Sequence, residues 1–439
     1  MALIPYRREG RAGGVEASNS FVAVIPGLTR GTLYREQLRL VVFHATPVTR
    51  YPTLSSICGI RSTPATRYSM FPAMDTINVG IVGLGWPGER HAEGVQRCGL
   101  GHLYAICDLN DKRRQTFQEK YKPEKAFSNY EEMLADPQLH AVVVALPNAL
   151  HFPATLKALH AGKHVLCEKP PTLNAGQMRE LHHEAERRGL TYCFGRQMRF
   201  SGAMQAARHA VAERRLGEIY YANTKWVRSR GTPGGIDGWF TDRSRAGGGA
   251  LIDLGVHAID AAWYVMGTPK PRSVTAQTFQ KFPQLVKSAV FDVEDSAYGL
   301  IRFESGALVN FEVAWAANLT DEIPMGKWGR QELFQTTLYG PKGTLRIIDV
   351  FQLHPEVKRP PLSLFEDRDG ALVSVDLPFE DVPHQFTPQM KNFLQAVRGD
   401  APPINSSLQA VQLMEILDAV YHSSQTGREV VFGIDDKDR

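Results

Sequence analysis

The sequence predicts an α/β protein in which a doubly wound parallel sheet precedes a second, α+β domain with a mostly antiparallel sheet. Two observations support this fold class. Between residues 76 and 195, short apolar runs alternate with helical segments of about ten residues, which is typical of a parallel sheet covered by helices on both faces. From residue 217 to about residue 376, most segments read as longer strands, and helices close the chain after them.

The first domain contains apolar or β-branched segments that we interpret as buried strands, at residues 77–82, 103–108, 126–127, 140–146, 163–168 and 191–195. Helical segments separate them, at residues 89–97, 111–121, 130–134, 151–161 and 175–188. Asn174 can cap the last of these helices, and Gly189 can end it.

The second domain contains longer segments that we interpret as strands, at residues 219–228, 272–280, 296–303, 307–316, 334–340, 343–349 and 430–432. Helices are predicted at residues 252–266, 385–398 and 406–424. We expect these helices to cover one face of the sheet, and we place the two domains at residues 75–195 and 196–439.

The composition limits what the protein can be. Of its 439 residues, 43% are hydrophobic and 22% are charged, as in a globular protein with room for two domains. The five cysteines form no C-x-x-C pair, which predicts reduced thiols and a cytoplasmic location. Residues 75–439 carry 41 basic and 43 acidic side chains, so we expect no nucleic-acid partner. Since no apolar run approaches the roughly 20 residues that span a bilayer, we expect no membrane partner either.

Residues 1–74 differ from the rest of the chain. They hold nine Arg, no Lys, three Glu and no Asp, and they lack a long periodic pattern. Three interpretations stay open: a reading frame that begins at Met70 or Met74, a disordered or organelle-targeting leader, and a genuine accessory segment.

A glycine-rich loop follows the first predicted strand and opens the first helix. It consists of Gly83, Gly85 and Gly88, with Trp86 and Pro87 between the second and third glycines. In a strand-helix-strand unit this spacing allows a tight turn, a close approach of the backbone to a pyrophosphate, and close helix packing. The helix N-terminus adds free N–H groups for the phosphates. The loop therefore predicts a Rossmann-type dinucleotide site, with an ordinary strand-to-helix turn as the alternative.

Asp108 ends the second strand, 25 residues after Gly83. Its carboxylate is placed to accept hydrogen bonds from the adenosine ribose, and it would repel a 2′-phosphate. NAD is therefore favoured over NADP as the cofactor. Arg113 and Arg114 could reverse this preference, although they also read as solvated residues of the next helix.

Two further strand ends should meet the glycine loop in one crevice, because ligands of open α/β sheets bind at the carboxyl ends of the strands. Pro147, Asn148 and His151 follow one strand and are candidates to line the nicotinamide ribose. The alternative for His151 is a helix-capping or half-buried histidine.

Glu168-Lys169-Pro170 ends the next strand. A lysine beside a nicotinamide can hydrogen-bond a reacting hydroxyl and stabilise developing negative charge on its oxygen. The alternative is a surface lysine that forms an ion pair with Glu168.

Asp253 and His257 follow the glycine run 247–249 and lie four residues apart, on one face of a predicted helix. Histidine suits acid–base work because its pKa is close to neutrality. Asp253 could orient it or bind a substrate hydroxyl. A surface helix contact is the commoner structural explanation for such a pair. A zinc site would need a third ligand, and none appears at a suitable spacing, so no metal is predicted.

Taken together, these motifs resemble the Gfo/Idh/MocA family, the glucose–fructose oxidoreductase and inositol dehydrogenase type, over residues 75–433. The resemblance implies a Rossmann domain followed by an α+β domain with a large, open, mostly antiparallel sheet. It implies that Lys169, Asp253 and His257 are catalytic, with His257 as the proton acceptor. The family commonly forms dimers or tetramers, so a homodimer or homotetramer is expected.

The implied reaction is hydride transfer between a carbinol carbon of a sugar or polyol and NAD. Arg196, Trp226, Trp239 and Arg243 are candidates to bind the substrate, and Gln197 is counted with Glu168 and Lys169 among the cofactor contacts. Each of these residues could equally be structural. Two other functions stay open, an NAD-dependent glycosidase of the same superfamily and a non-catalytic NAD-binding sensor.

Overall fold

The computed structural model describes residues 76–233, 236–287, 290–318, 331–348 and 360–433. The fold below belongs to the compact unit Arg67–Arg439. The interpretations offered for residues 1–74 lie outside the described residues.

A parallel sheet forms the first layer of the described fold, with the strand order β3-β2-β1-β4-β5-β6. Its strands are β1 (Ile77–Val82), β2 (Gly101–Cys107), β3 (Lys125–Phe127), β4 (Ala141–Val144), β5 (His164–Cys167) and β6 (Tyr192–Phe194). Its helices are α1 (Trp86–Arg97), α2 (Asp111–Tyr121), α3 (Tyr130–Leu134), α4 (His151–His160) and α5 (Ala175–Arg188). The strand order reverses between β1 and β4, which creates the crevice where such sheets bind ligands.

A larger, mostly antiparallel sheet follows, with the order β14-β13-β12-β11-β7-β10-β9-β8-β15. Its strands are β7 (Tyr221–Arg228), β8 (Pro271–Phe279), β9 (Ser296–Phe303), β10 (Leu308–Ala314), β11 (Glu332–Gly340), β12 (Gly343–Ile348), β13 (Leu362–Arg368), β14 (Ala371–Val375) and β15 (Val430–Val431). Strands β7 and β10 pair in parallel, so their carboxyl ends lie side by side. This pairing positions two side chains of the candidate active site.

Helices of the second half are α6 (Gly202–Ala212), α7 (Arg243–Ala246), α8 (Val256–Val265), α9 (Phe386–Arg398) and α10 (Ser407–Thr426). Helix α8 is buried along its whole length and packs on β7, β10 and β11. A wide π-helical turn, Leu251–Gly255, precedes it directly. Such turns are frequent at functional sites, and this one carries Asp253.

The predicted fold class is confirmed, and most predicted elements lie within a few residues of the observed ones. Helix α6 and strands β13 and β14 were not predicted. The helix expected at 252–266 is divided into the π turn and α8. Among the described residues, no helix combines the length and apolarity that a membrane span requires.

Helix α9 packs against elements of the first domain. It packs against α1, and Met390, Phe393 and Leu394 share a buried apolar cluster with Ile77 and Val79 of β1. Helix α10 packs on α5 as well as on β8. The end of the chain therefore completes the core of the first domain. A single boundary at residue 196 does not describe this packing.

Because Phe393 is fully buried between α9 and the parallel sheet, we predict that Phe393→Ala lowers the free energy of unfolding by about 3–5 kcal/mol. Urea unfolding followed by tryptophan fluorescence measures the loss. Leu372→Ala is the control: Leu372 is 76% exposed, and its removal should change stability by less than about 0.5 kcal/mol. A loss below about 1 kcal/mol for Phe393→Ala would contradict the role assigned to α9.

Candidate active site

A cavity of about 260 Å³ lies at the crevice of the parallel sheet. The glycine loop, the ends of β4 and β5, and the π turn all contribute to its wall. Its lining comprises Trp86, Pro87, Ala145, Leu146, Asn148, Glu168, Lys169, Gln197, Trp239, Phe240, Ala246, Gly248, Ile252, Asp253 and Phe386. Eight residues predicted from the sequence are therefore brought together: Trp86, Pro87, Asn148, Glu168, Lys169, Gln197, Trp239 and Asp253.

The glycine loop has no room for a side chain at two of its glycines and has open space at the third. Gly83 has φ +91°, and a Cβ there would lie 2.3 Å from the carbonyl oxygen of Ala145. A Cβ on Gly88 would lie 2.1 Å from the carbonyl oxygen of Gly83, so this position also requires glycine. Above Gly85, by contrast, a Cβ would meet only Pro87, at 3.8 Å. The loop is thus tightly packed on the protein side and open where a ligand would approach.

Asp108 lies beside this loop at the end of β2. Its Oδ2 accepts a hydrogen bond from the backbone N–H of Leu84 at 2.8 Å, and its Oδ1 accepts one from Asn110 at 2.9 Å. Arg113 Nη1 is 3.8 Å from Oδ2. Arg114 Nη1 donates to the backbone oxygen of Asp108 at 2.5 Å, so the carboxylate is fixed next to the glycine loop with two arginines close to it.

The end of β4 is tied to both halves of the fold. Asn148 donates from Nδ2 to the carbonyl oxygen of Ala246 at 2.9 Å. His151 is buried, with Nδ1 2.6 Å from the carbonyl oxygen of Pro170 and Nε2 2.6 Å from that of Leu146. Burial lowers the pKa of His151, and a neutral ring has one N–H to donate. His151 thus contacts the ends of both β4 and β5 and can donate to one of the two carbonyl oxygens; it does not appear among the described cavity-lining residues.

Glu168 is held by a residue that the sequence analysis missed. His91, buried in α1, places Nε2 2.8 Å from Glu168 Oε1, and the backbone N–H of Lys169 donates to Oε2 at 3.1 Å. Burial alone would raise the pKa of Glu168, but these hydrogen bonds and the charges of His91 and Lys169 bring it below its ordinary value. Glu168 therefore connects the helix after the glycine loop to the strand end that carries Lys169.

Lys169 and Asp253 form the central contact of the cavity. Lys169 Nζ lies 3.0 Å from Asp253 Oδ1 and 3.3 Å from the backbone oxygen of Asp253. The alternative that Lys169 pairs with Glu168 at the surface is not what the structure shows, since only 21% of the Lys169 side chain is exposed.

Two side chains that the sequence analysis also missed hold the other oxygen of Asp253. Trp315 Nε1 donates to Oδ2 at 2.9 Å, and Arg228 Nη1 lies 3.7 Å from it. Burial raises the pKa of Asp253, but the charges of Lys169 and Arg228 and the hydrogen bonds from Trp315 and Lys169 lower it overall. Asp253 is accordingly a carboxylate. Trp315 directly follows β10, and Arg228 ends β7. Because these two strands pair in parallel, both side chains lie at the same edge of the sheet.

Glu294 anchors the π turn. Its Oε1 accepts hydrogen bonds from the backbone N–H groups of Gly249 and Leu251, at 2.9 and 3.0 Å, and from the hydroxyl of Tyr421 at 2.9 Å. Burial raises the pKa of Glu294. This buried acid fixes the segment that presents Asp253 to Lys169.

His257 is buried and has different neighbours from those expected. Its Nδ1 lies 2.5 Å from Nη1 of Arg196, and its ring contacts Trp226 at a centroid distance of 5.4 Å. Burial, and then the charges of Arg196, Lys169 and Arg228, hold the pKa of His257 well below its ordinary value. The role of His257 as a proton acceptor, and that of Asp253 in orienting its ring or binding a substrate hydroxyl, stay predictions.

The predicted substrate residues separate into two groups. Trp239 lines the cavity and stacks on Phe240 at a centroid distance of 3.9 Å. Arg196 is fully buried, is hydrogen-bonded inside the protein and is absent from the lining of the described cavity; a substrate contact by Arg196 stays a prediction. Trp226 and Arg243 are absent from the cavity-lining residues of the described chain. Trp226 is buried, and Nη2 of Arg243 lies 3.9 Å from Oε2 of Glu294.

Known proteins share this architecture. Residues 77–196 match a profile described as an oxidoreductase family with an NAD-binding Rossmann fold, and residues 204–346 match the GFO/IDH/MocA C-terminal domain. The D-glucoside 3-dehydrogenase of Escherichia coli (strain K12) is 30% identical over 363 residues, covering 81% of this chain and 97% of that protein. The myo-inositol 2-dehydrogenase of Thermotoga maritima is 26% identical, covering 74% and 90%.

Among solved structures, GenD2 from gentamicin A biosynthesis, in complex with NAD, is 27% identical with a TM-score of 0.67, covering 83% of this chain and 98% of that one. The chain therefore belongs to the GFO/IDH/MocA family of oxidoreductases, as its motifs predicted. Its first domain is of the NAD-binding Rossmann type. Within the described residues, no group of three or more His, Cys, Asp or Glu side chains could hold a metal ion.

The lowered pKa of His257 predicts a pH-dependent stability. Below the unfolded-state pKa of about 6.5, the unfolded chain binds a proton that the folded chain does not, so stability falls as pH falls. His257 contributes up to about 1.4 kcal/mol per pH unit to this slope. We predict that His257→Gln flattens the dependence of the free energy of unfolding between pH 7 and 5, measured by urea titration. An unchanged slope would show that the folded protein protonates His257 normally.

Proposed function

We propose that the protein is an NAD-dependent dehydrogenase that oxidises a carbinol carbon of a sugar or polyol. The observation that carries this proposal is the placement of Lys169 and Asp253 in one cavity with the glycine loop. Relatives whose names describe glucoside and inositol dehydrogenases support the substrate class.

The residues present fit NAD. The open space above Gly85 and the free N-terminus of α1 suit a pyrophosphate, and Asp108 suits the hydroxyls of the adenosine ribose. Trp86 and Asn148 line the cavity next to this loop, and Trp86 is 55% exposed, which leaves its ring available to a ligand. When bound, NAD supplies the hydride acceptor. The acid at Asp108 supports NAD over NADP.

Lys169 is proposed to hold the reacting oxygen. Its ammonium is tethered by Asp253, which keeps Nζ at the cavity wall and compensates its charge. A fixed cation placed at an oxygen that gains negative charge stabilises the transition state more than the ground state. Trp239 and Phe240 provide an aromatic wall, and such faces pack well against the C–H surfaces of a sugar ring.

We also propose that the protein forms homo-oligomers through the larger sheet and resides in the cytoplasm. Phe279 and Tyr298, on β8 and β9, are 37% and 38% exposed, which supports a contact surface there. The cysteines that the structure describes, Cys98, Cys107, Cys167 and Cys193, are free and buried, as in a reducing compartment.

The proposed reaction is tested with a panel of inositols, aldoses and anhydrosugars, following the absorbance of reduced cofactor. We expect turnover with at least one polyhydroxylated ring and NAD. Turnover confined to simple aliphatic alcohols, or absent across the panel while NAD binds, would contradict the substrate class.

We predict that Lys169→Ala lowers turnover by about 10²-fold or more, because the charge at the reacting oxygen is lost, while NAD affinity changes only a few-fold. Turnover is measured from the absorbance of reduced cofactor, and NAD binding is measured by isothermal titration calorimetry. Lys157→Ala, at a surface lysine paired with Glu131, is the control and should behave as wild type. A collapse of NAD affinity with a high residual rate would remove Lys169 from the proposed role.

We predict that Asp108→Ala lowers the NAD/NADP ratio of kcat/KM about tenfold or more, since it removes both the acceptor for the ribose and the charge that repels a 2′-phosphate. Asp108→Asn, which keeps the shape but removes the charge, separates the two contributions. An unchanged ratio in both variants would mean that Asp108 does not contact the cofactor.

A further inference from the structure

Arg196 makes an unusual contact for a residue that follows a strand of the cofactor domain. Its side chain is fully buried, and its Nη1 lies 2.5 Å from Nδ1 of His257. Its Nη2 also lies 3.3 Å from the backbone oxygen of His257. The guanidinium therefore contacts both the ring and the backbone of one histidine on α8.

The orientation of this guanidinium is fixed from the opposite side. Arg196 Nε and Nη2 donate to Asp260 Oδ2 at 2.9 and 2.7 Å, which is a two-point contact on one carboxylate oxygen. The backbone N–H of Arg196 donates to Gln389 Oε1 at 2.7 Å. The Nε–Nη2 edge is thus held by Asp260, and Nη1 is directed at His257.

A guanidinium donates hydrogen bonds and has no lone pair with which to accept one, and it keeps its charge in proteins. Nδ1 of His257 must therefore accept from Arg196. A neutral imidazole has one protonated nitrogen, so the remaining hydrogen lies on Nε2. We infer that Arg196 is a positioning residue that holds neutral His257 in the Nε2–H tautomer.

This inference rests on the proposed function for its consequence. In a dehydrogenase, a histidine held as Nε2–H offers a hydrogen-bond donor and cannot take a proton on that nitrogen. Lys169, whose ammonium is held by Asp253, keeps the role of stabilising the reacting oxygen, and the hydroxyl proton does not pass to Nε2 of His257. The division of roles between Lys169 and His257 thus differs from the one that the motifs suggest.

The charges around the ring of His257 also favour its neutral form. Arg196 faces it from the end of β6, Lys169 from the end of β5 and Arg228 from the end of β7, while Asp253 and Asp260 lie on its own helical segment. Both acids are already engaged by cations: Asp253 by Lys169, and Asp260 by Arg196. A second proton on the ring would meet uncompensated positive charge, so the ring stays neutral.

The chain provides a matched control. Arg199 is also fully buried, and its Nη2 and Nε donate to Asp260 at 2.5 and 3.0 Å. Its Nη1 donates to the carbonyl oxygen of Ile404 at 2.7 Å. Arg196→Met and Arg199→Met each remove one buried guanidinium from the same carboxylate, but only the first removes a donor from His257.

The test is a long-range ¹H–¹⁵N spectrum of the full-length protein labelled with ¹⁵N in its histidines, recorded from pH 5 to pH 9, with His257→Gln to assign the signals. In wild type we expect the Nε2–H pattern for His257 throughout this range. In Arg196→Met we expect a mixture of tautomers and protonation at a pH higher by about one unit or more, which is a tenfold gain in proton affinity. Arg199→Met should keep the wild-type pattern.

An Nδ1–H pattern, or a doubly protonated ring at pH 7, in wild type would overturn the inference, and this spectrum decides the question even if a variant does not fold. Equal changes in both variants would also overturn it, because they would reflect a general loss of packing around Asp260. The measurement needs neither substrate nor NAD. A protein that fails every dehydrogenase assay but shows the Nε2–H pattern would refute the proposed reaction and leave the role of Arg196 intact.

Discussion

The ion pair between Lys169 and Asp253 is the contact on which the site depends, because it joins the parallel sheet to the helical segment of the second domain. Each partner is fixed from its own side: Lys169 through Glu168, whose carboxylate is held by His91, and Asp253 through Trp315. Without Lys169, Asp253 would keep Trp315 and, at 3.7 Å, Arg228 as partners. The geometry of the cavity is therefore maintained by the same contacts that hold the two domains together.

Charge balance around this pair extends over two buried clusters. Lys169 and Arg228 surround Asp253, while Arg196 and Arg199 surround Asp260 seven residues later along the helical segment. Each acid thus lies between two cations, and His257 lies between the clusters. This arrangement places the arginines of both clusters beside a carboxylate.

The sequence predicted those parts of the site that follow from local rules. The glycine loop, Asp108 and Lys169 were found because parallel strands end at one edge of a sheet. Trp315 and Arg228 were not found, because their meeting requires β7 and β10 to pair in parallel across about 80 residues of chain, which no local pattern records. The partners of His257 were not predicted for a related reason. Its spacing of four residues from Asp253 suggested a local pair, but each of the two side chains contacts a residue more than 60 positions away in the sequence.

The return of α9 to α1 has a consequence for how the protein is made. The apolar face of α1 and β1 is covered only when α9 has been synthesised, about 300 residues later, which takes on the order of 15–60 s at ordinary translation rates. During that interval the cofactor domain cannot complete its core on the ribosome. The protein should therefore depend on chaperones more than a domain of contiguous sequence would, and its cofactor-binding half cannot be transplanted as a single segment into another chain.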